Sequence, residues 1–375
     1  MDVNFSEEQK LIRSSAKEFL EAEVPKDVVR EIEESAEGYS PELWQKISEL
    51  GWIGLNIPEE YEGMGMNFLD LVILLEEVGY NLFPGPYFST VIATFPIILG
   101  GRKEQKMEYL PKIAEGKLKV SLALIEPTAT FDPSGIDTKA VPQGDAYIIN
   151  GTKLFVENAH TADYLVTVVR TKRKEKAEDG LTLFVIDTKA PGVKISHIPT
   201  IGLDKQCEVR FRDLLVPKTD IVGPVDRGWD LLKNTLQRAQ LGKCAEMIGG
   251  MRAAMDMTNV HAKKRMTYGN PIASYQVVQH YLADIWIDVE TSKNLVYLAA
   301  WKICEGLPSG KEVCAAKAWV GKAFTHVTER CVQMHGAIGL TREHDIGLYY
   351  RNAKACDLAF GDGYYQKEVI AKEMF

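Results

Sequence analysis

A mostly α protein with a small β-barrel inserted in its middle is the fold class this sequence predicts, and three observations predict it. Apolar residues recur at helical spacing up to about residue 117; the period drops to two over 118–225; long helical runs return over 226–375. A chain of 375 residues exceeds what one hydrophobic core usually serves. Three domains are therefore expected: 1–117 helical, 118–225 a β-barrel, and 226–375 a four-helix bundle.

In the first segment, Ser6 followed by Gln9 forms a capping box ahead of Leu11, Ile12, Ala16, Phe19 and Leu20 at helical spacing. Ser40, Pro41 and Glu42 start a second helix that Gly51 stops. A loop over Asn56–Asn67 leads into an apolar helix from Leu69 to Val78, the Pro-Gly-Pro run at 84–86 breaks the chain, and helical turns follow at Val91–Leu99 and Gln105–Ala114. In the middle segment, short strands begin at Val120, Tyr147, Lys153, Tyr164, Leu181, Val193 and Val209. Asn150-Gly151 reads as a tight turn between two of them. The last segment holds four helical runs, Leu231–Asn259, Gln276–Trp301, Glu312–Met334 and Asp345–Phe360, with glycines at 249–250, 269, 306–310 and 336–339 separating or kinking them.

Composition narrows the function. Apolar residues at 46% and charged residues at 26% describe an ordinary globular chain and exclude a disordered or fibrous one. A net charge of −8 gives no footprint for nucleic acid, and the basic run Arg170–Lys176, interrupted by Thr171 and Glu175, reads as a solvated hairpin loop. The six cysteines show no C-x-x-C and no pairing with histidines, so free thiols in a reducing compartment are expected. No stretch reaches the roughly 18 apolar residues of a membrane span, and the acidic opening MDVNFSEEQK does not fit a signal or transit peptide. The expected location is cytoplasmic.

Six stretches, in this order, resemble the acyl-CoA dehydrogenase family: ALIEP at Ala123–Pro127, INGTKLF at Ile149–Phe155, CEVRFRDLLVP at Cys207–Pro217, RMTYGNPI at Arg265–Ile272 with Gln276, LAD at Leu282–Asp284, and QMHGAIG at Gln333–Gly339. The resemblance covers nearly the whole chain and implies a helical domain, a β domain and a four-helix bundle. It implies FAD as cofactor, an acyl-CoA substrate of cyclic, branched or dicarboxylic type, and electron-transferring flavoprotein as acceptor. It also implies a homodimer or homotetramer, or a heterotetramer with a homologous subunit. The chemistry implied is removal of two hydrogens across Cα–Cβ of the thioester: a base takes the α-proton while the flavin accepts the β-hydride.

The same resemblance assigns residues. Leu122, Leu124 and Ile125 match the strand whose backbone faces the flavin ring, Ile125 replacing a hydroxyl residue. Phe155 matches an aromatic lying against the ring, with plain strand core as its other reading. Glu157 stands where a threonine often bonds flavin N5. Arg265, Tyr268, Gln276, Gln333 and Gly336 resemble the set that binds the neighbouring subunit's FAD pyrophosphate and adenosine; a helix joint with a surface arginine is the alternative. Arg238 matches a position near the substrate, while Thr128, Thr130 and Phe131 replace a serine that contacts CoA.

The base glutamate is missing from both of the family's usual places. Gln237 occupies one, and at the other a gap-free alignment puts Phe360 opposite the glutamate, whereas a two-residue slip puts Asp362 there. Asp362 before Gly363 also suits a plain turn. Three readings stay open: a dehydrogenase with Asp362 as base, a base-deficient subunit of a heteromeric dehydrogenase, and a flavoprotein of the same fold doing oxidase or redox-neutral chemistry.

Overall fold

The computed structural model describes residues 5–374; Met1–Asn4 and Phe375 lie outside them. Six α-helices come first: α1 (Glu7–Glu23), α2 (Lys26–Glu34), α3 (Pro41–Glu49), α4 (Phe68–Asn81), α5 (Tyr87–Gly100) and α6 (Lys103–Ala114). The Ser6 hydroxyl accepts from the Gln9 N–H and the Gln9 side chain accepts from the Ser6 N–H, so the capping box starts α1. Asn67 and Asp70 cap α4 in the same reciprocal way. Nearly all of α4 is buried, including Glu76 and Glu77. Arg252 Nη1 meets these two carboxylates at 2.6 and 2.8 Å, and Arg13 Nη2 adds a contact to Glu76 at 3.0 Å.

Eight strands follow: β1 (Val120–Ala123), β2 (Lys139–Gln143), β3 (Ala146–Glu157), β4 (Tyr164–Arg170), β5 (Leu181–Asp187), β6 (Val193–Ile198), β7 (Gln206–Pro217) and β8 (Ile221–Val222). They share one ladder in the order β6-β7-β3-β2-β4-β5-β8, with β1 parallel to β4. The path has two ends, β6 and β8, so its hydrogen bonding does not close a barrel. Its halves meet where β2 and β4 pair at Lys139 and Arg170, over a shared apolar cluster that includes Ile149, Val156, Leu165, Phe184 and Val209.

Asn150-Gly151 is not a turn. Tyr147 and Lys153 belong to one long β3, and the pair marks a register shift against β7 inside it. The hairpin turns instead at Gly144, whose φ of 59° a glycine adopts without strain. The basic run does fall in the β4–β5 connection, but Arg170 is buried and donates to the carbonyls of Pro133 and Ile136.

The chain then forms α7 (Trp229–Lys264), a small hairpin of β9 (Met266–Thr267) and β10 (Asn270–Pro271), α8 (Gln276–Cys304), α9 (Gly310–His335), α10 (Ile346–Leu358) and α11 (Gly363–Met374). Among the described residues the last segment thus holds five helices rather than four, the short α11 following a sharp turn at Phe360 and Gly361. Gly249 and Gly250 lie inside α7 and do not interrupt it. They serve as a contact instead: a Cβ on Gly249 would stand 1.9 Å from the Glu76 carbonyl oxygen, and one on Gly79 2.0 Å from that of Glu246. All six cysteines are free, five of them buried. Among the described residues no helix is long and apolar enough to cross a membrane.

Because the atoms that Cβ would meet are backbone, α4 and α7 must separate to admit it. Gly249→Ala should destabilise the protein by about 1–3 kcal/mol, read as a lower urea midpoint, although alanine is the better helix former.

Candidate functional site

A cavity of 540 Å³ opens where the first helices, the sheet and the last helices meet. That size suits a drug-sized or cofactor-sized organic ligand. Its walls include Phe88 and Ile92 of α5, the end of β1 and the residues after it, the end of β3, Asp204 and Gln206 near the start of β7, Lys243 and Glu246 of α7, and the α10–α11 junction.

Two local devices aim the sheet at this cavity. After β1 the chain leaves the ladder, and the Ile125 carbonyl accepts from the Leu154 N–H at 2.7 Å. Leu122, Leu124 and Ile125 all line the cavity as a result. On β3, a second register shift between Lys153 and Val156 frees Leu154 and Phe155 from β7. Phe155 adopts φ 52° there, and its ring, 48% exposed, is turned to the cavity rather than into strand core.

Glu157 follows on the same wall. Lys243 Nζ lies 3.8 Å from its carboxylate, 2.7 Å from that of Glu246 and 3.7 Å from the centre of the Phe88 ring. Burial pushes the Glu157 carboxyl up to about 8; Lys243 opposes this, and Asp204 and Glu246 add to it. Burial alone would lower the Lys243 ammonium, yet the carboxyl groups around it, Glu157 and the nearer Glu246, shift it upward instead. Four carboxyl groups, those of Glu157, Asp204, Glu246 and Asp362, thus line the cavity against one ammonium.

Asp362 is on the cavity wall and also precedes α11. Its Oδ1 accepts from the N–H groups of Tyr364 at 3.1 Å and Tyr365 at 2.9 Å, the pattern of an N-cap. Phe360, with φ 57°, projects between Phe88 and Phe131 at ring distances of 6.0 and 6.5 Å, and its carbonyl accepts from Gln240 and Gln366.

The wall fits a flat aromatic group such as a flavin. The Gln206 Oε1 atom is buried there without a hydrogen-bond partner, and Phe155 offers an aromatic face beside it. The residues that would hold the ring are Leu122, Leu124, Ile125, Phe155, Glu157 and Gln206.

The other sequence-predicted residues lie elsewhere. Arg238 does not line the cavity; its guanidinium sits 5.7 and 5.3 Å from the Phe68 and Phe95 ring centres, and Nη1 donates to the Asn234 carbonyl. Arg265, Tyr268, Gln276, Gln333 and Gly336 are exposed and off the cavity. They do share one end of the helical bundle, because His261 of α7 stacks on His335 of α9 with centroids 4.2 Å apart. Tyr268, 93% exposed, and Gly269 turn the β9–β10 hairpin with φ 50° and 83°. Sequence reasoning missed Lys243, Glu246, Asp204 and Gln206. A signal existed for the first two: they are the charged residues in the otherwise small and apolar run LGKCAEMIGG.

Comparison with known proteins agrees with this architecture. The chain matches the acyl-CoA dehydrogenase N-terminal domain over residues 6–117, the middle domain over 121–214 and the C-terminal domain over 226–375. It is 32% identical to the caffeyl-CoA reductase-Etf complex subunit CarC of Acetobacterium woodii, over 98% of each chain. It is 30% identical to the short-chain specific acyl-CoA dehydrogenase of Clostridium acetobutylicum, over 100% of each. The solved butyryl-CoA dehydrogenase of Megasphaera elsdenii superposes with a TM-score of 0.93 at 27% identity, again over 100% of both chains.

The position of Glu157 has a measurable consequence. Its carboxyl gains a proton on folding between its ordinary value of 4.5 and about 8, so the stability this contributes is full below 4.5 and is lost as pH rises toward 8. Urea unfolding from pH 5 to 8 should show that decline, with a slope of at most about 1.4 kcal/mol per pH unit. In Glu157→Gln the decline should flatten.

Proposed function

Given that this chain belongs to the acyl-CoA dehydrogenase family of FAD-dependent oxidoreductases, we propose that it dehydrogenates an acyl-CoA thioester across Cα–Cβ and passes the electrons to an electron-transferring flavoprotein. One observation carries the reading: the end of β1, the Phe155–Glu157 bulge and Asp362 converge on a single cavity. When bound, FAD supplies the acceptor for the β-hydride. Phe155, Leu122, Leu124 and Ile125 would hold the ring. Glu157, pushed toward its protonated form by burial, would stand beside it as a hydrogen-bond donor. Phe88, Phe131 and Phe360 exclude water from the reacting carbons.

Asp362 is the base in this reading. Its Oδ1 is fixed by two N–H groups of α11, which leaves Oδ2 to take the α-proton. Its side chain is one methylene shorter than that of glutamate, so the substrate α-carbon must sit closer to α11. The acidic lining argues against a dicarboxylic acyl group, whose far carboxylate would join the carboxyl groups of Asp204, Glu246 and Asp362 with only Lys243 to oppose them. A neutral cyclic or branched group fits the aromatic walls.

Arg265, Tyr268, Gln276, Gln333 and Gly336 face outward and serve the dinucleotide of a neighbouring subunit's FAD, so the working unit is at least a dimer. A second reading has its own observation. Asp362 caps a helix and Phe360 fills space beside it, as a subunit that leaves proton abstraction to a homologous partner would allow.

Two measurements test these statements. Anaerobic mixing with a panel of acyl-CoAs should bleach the flavin with neutral cyclic or branched groups, and Asp362→Asn should keep its flavin while bleaching at least ~10²-fold more slowly. Bleaching retained in Asp362→Asn would remove Asp362 as base, and bleaching that appears only when a homologous chain is added would establish the second reading. Arg265→Ala should purify with less flavin than wild type, measured as the ratio of flavin to protein absorbance.

A further inference from the structure

Three potential metal ligands meet at the rim of the sheet's apolar cluster, off the cavity: Cys207 is buried in that cluster, His160 is half-buried and His197 is exposed. Cys207 and His197 are directly opposite each other in the β6–β7 ladder, and His160 lies in the turn after β3. Cys207 Sγ is 3.8 Å from His160 Nδ1, the two imidazole centroids are 4.4 Å apart, and one ligand atom from each residue falls within 4.8 Å of the other two. In a tetrahedral zinc site the bond lengths put neighbouring nitrogen and sulfur ligands roughly 3.3–3.6 Å apart. Small side-chain rotations therefore separate this cluster from a coordinating one.

A second feature prepares it. His160 Nε2 lies 2.8 Å from the Glu37 carbonyl oxygen, which accepts only, so Nε2 carries the ring proton and Nδ1 presents its lone pair toward the Cys207 sulfur. A metal-binding histidine is oriented in this way, by donating its other N–H to a carbonyl. His197 is exposed, so a cation reaches the group from solvent.

We propose that His160, His197 and Cys207 bind a divalent cation of the zinc type. One thiolate and two imidazoles suit that borderline-soft ion and exclude calcium or magnesium, which take oxygen ligands. On binding, the Cys207 thiol loses its proton to water, the sulfur and two ring nitrogens coordinate the ion, and water fills the remaining position. The metal would tie β6, β7 and the turn after β3 together, and through Glu37 would fix the sheet to the N-terminal helices. Cys207 follows cavity-lining Gln206, and His160 stands three residues after Glu157, so the clamp braces the cavity wall from behind.

The test uses tag-free, flavin-loaded protein dialysed against a chelator and then titrated with cobalt(II). A thiolate-to-cobalt absorption band should rise to one equivalent and disappear on adding zinc. His197→Ala, an exposed change that leaves the cavity intact, should weaken the affinity at least about tenfold without altering flavin content. Cys207→Ser should abolish the band, and zinc should raise the melting temperature of wild type, raise that of His197→Ala less, and leave that of Cys207→Ser unchanged. Absence of the band in wild type, or an equal band in Cys207→Ser from one of the other five cysteines, would overturn the proposal, as would unchanged affinity in His197→Ala.

Discussion

The cavity depends on one buried ion pair. Lys153 Nζ lies 2.7 Å from Glu126 Oε1 and 3.1 Å from the Leu124 carbonyl, with no part of the lysine exposed. Burial pulls the Lys153 ammonium down and Glu126 works against it. Glu126 also accepts from the N–H groups of Asp137 and Thr138, so its charge is spread over three donors. A pair like this contributes little net stability, but losing one partner strands the other and costs about 3–5 kcal/mol. Its role here is positional. It fastens the loop after β1 to β3, so that the Leu122–Ile125 edge and the Phe155 bulge face the same space.

The opposite wall rests on contact rather than charge. Glycines at 79 and 249 let α4 and α7 approach until backbone meets backbone, and Arg252 then reaches Glu76 and Glu77 in the gap beside them. That close approach fixes the position of Lys243 and Glu246, which lie on α7 just before Gly249. Ion pair and glycine contact together hold a sheet and two helices around a volume that neither could define alone. The carboxyl-rich lining can be tolerated because Lys243 is anchored among it and Glu157 takes up a proton.

Much of this was legible in the sequence where a local rule decided it. The Ser6–Gln9 capping box, the change of hydrophobic period and the long apolar helices depend on neighbours within a few residues, and they appear where expected. Asn150-Gly151 misled because the same dipeptide serves a hairpin turn and a bulge, and only the strand paired with it distinguishes them. α11 is hard to see in the sequence because Asp362 before Gly363 suits a plain turn equally well, whereas here its carboxylate starts a helix. Arg238 matched a family position, yet the Phe68 and Phe95 rings that surround its guanidinium come from other helices, 140 residues or more earlier in the chain. Lys243 and Glu246 were visible as charges in an apolar run, but that they face a cavity depends on how α7 crosses the sheet.

The α10–α11 junction shows why motif alignment alone could not settle the base. Both alignments have a structural counterpart: Phe360 is the residue that projects among aromatic rings, and Asp362 is the residue whose carboxylate is on the wall. The backbone between them is strongly turned, with φ 57° at Phe360 and 95° at Gly361, and Gln240 and Gln366 hold the Phe360 carbonyl in that turn. Position along the chain therefore ceases to track position in the cavity here. A carboxylate two residues later is carried back to the wall because the turn reverses the chain, and the two N–H groups that cap α11 also fix where its free oxygen stands. If Asp362 takes the proton, the acyl chain must lie against the start of α11, because Oδ1 is engaged by the N–H groups of Tyr364 and Tyr365 and only Oδ2 is left free.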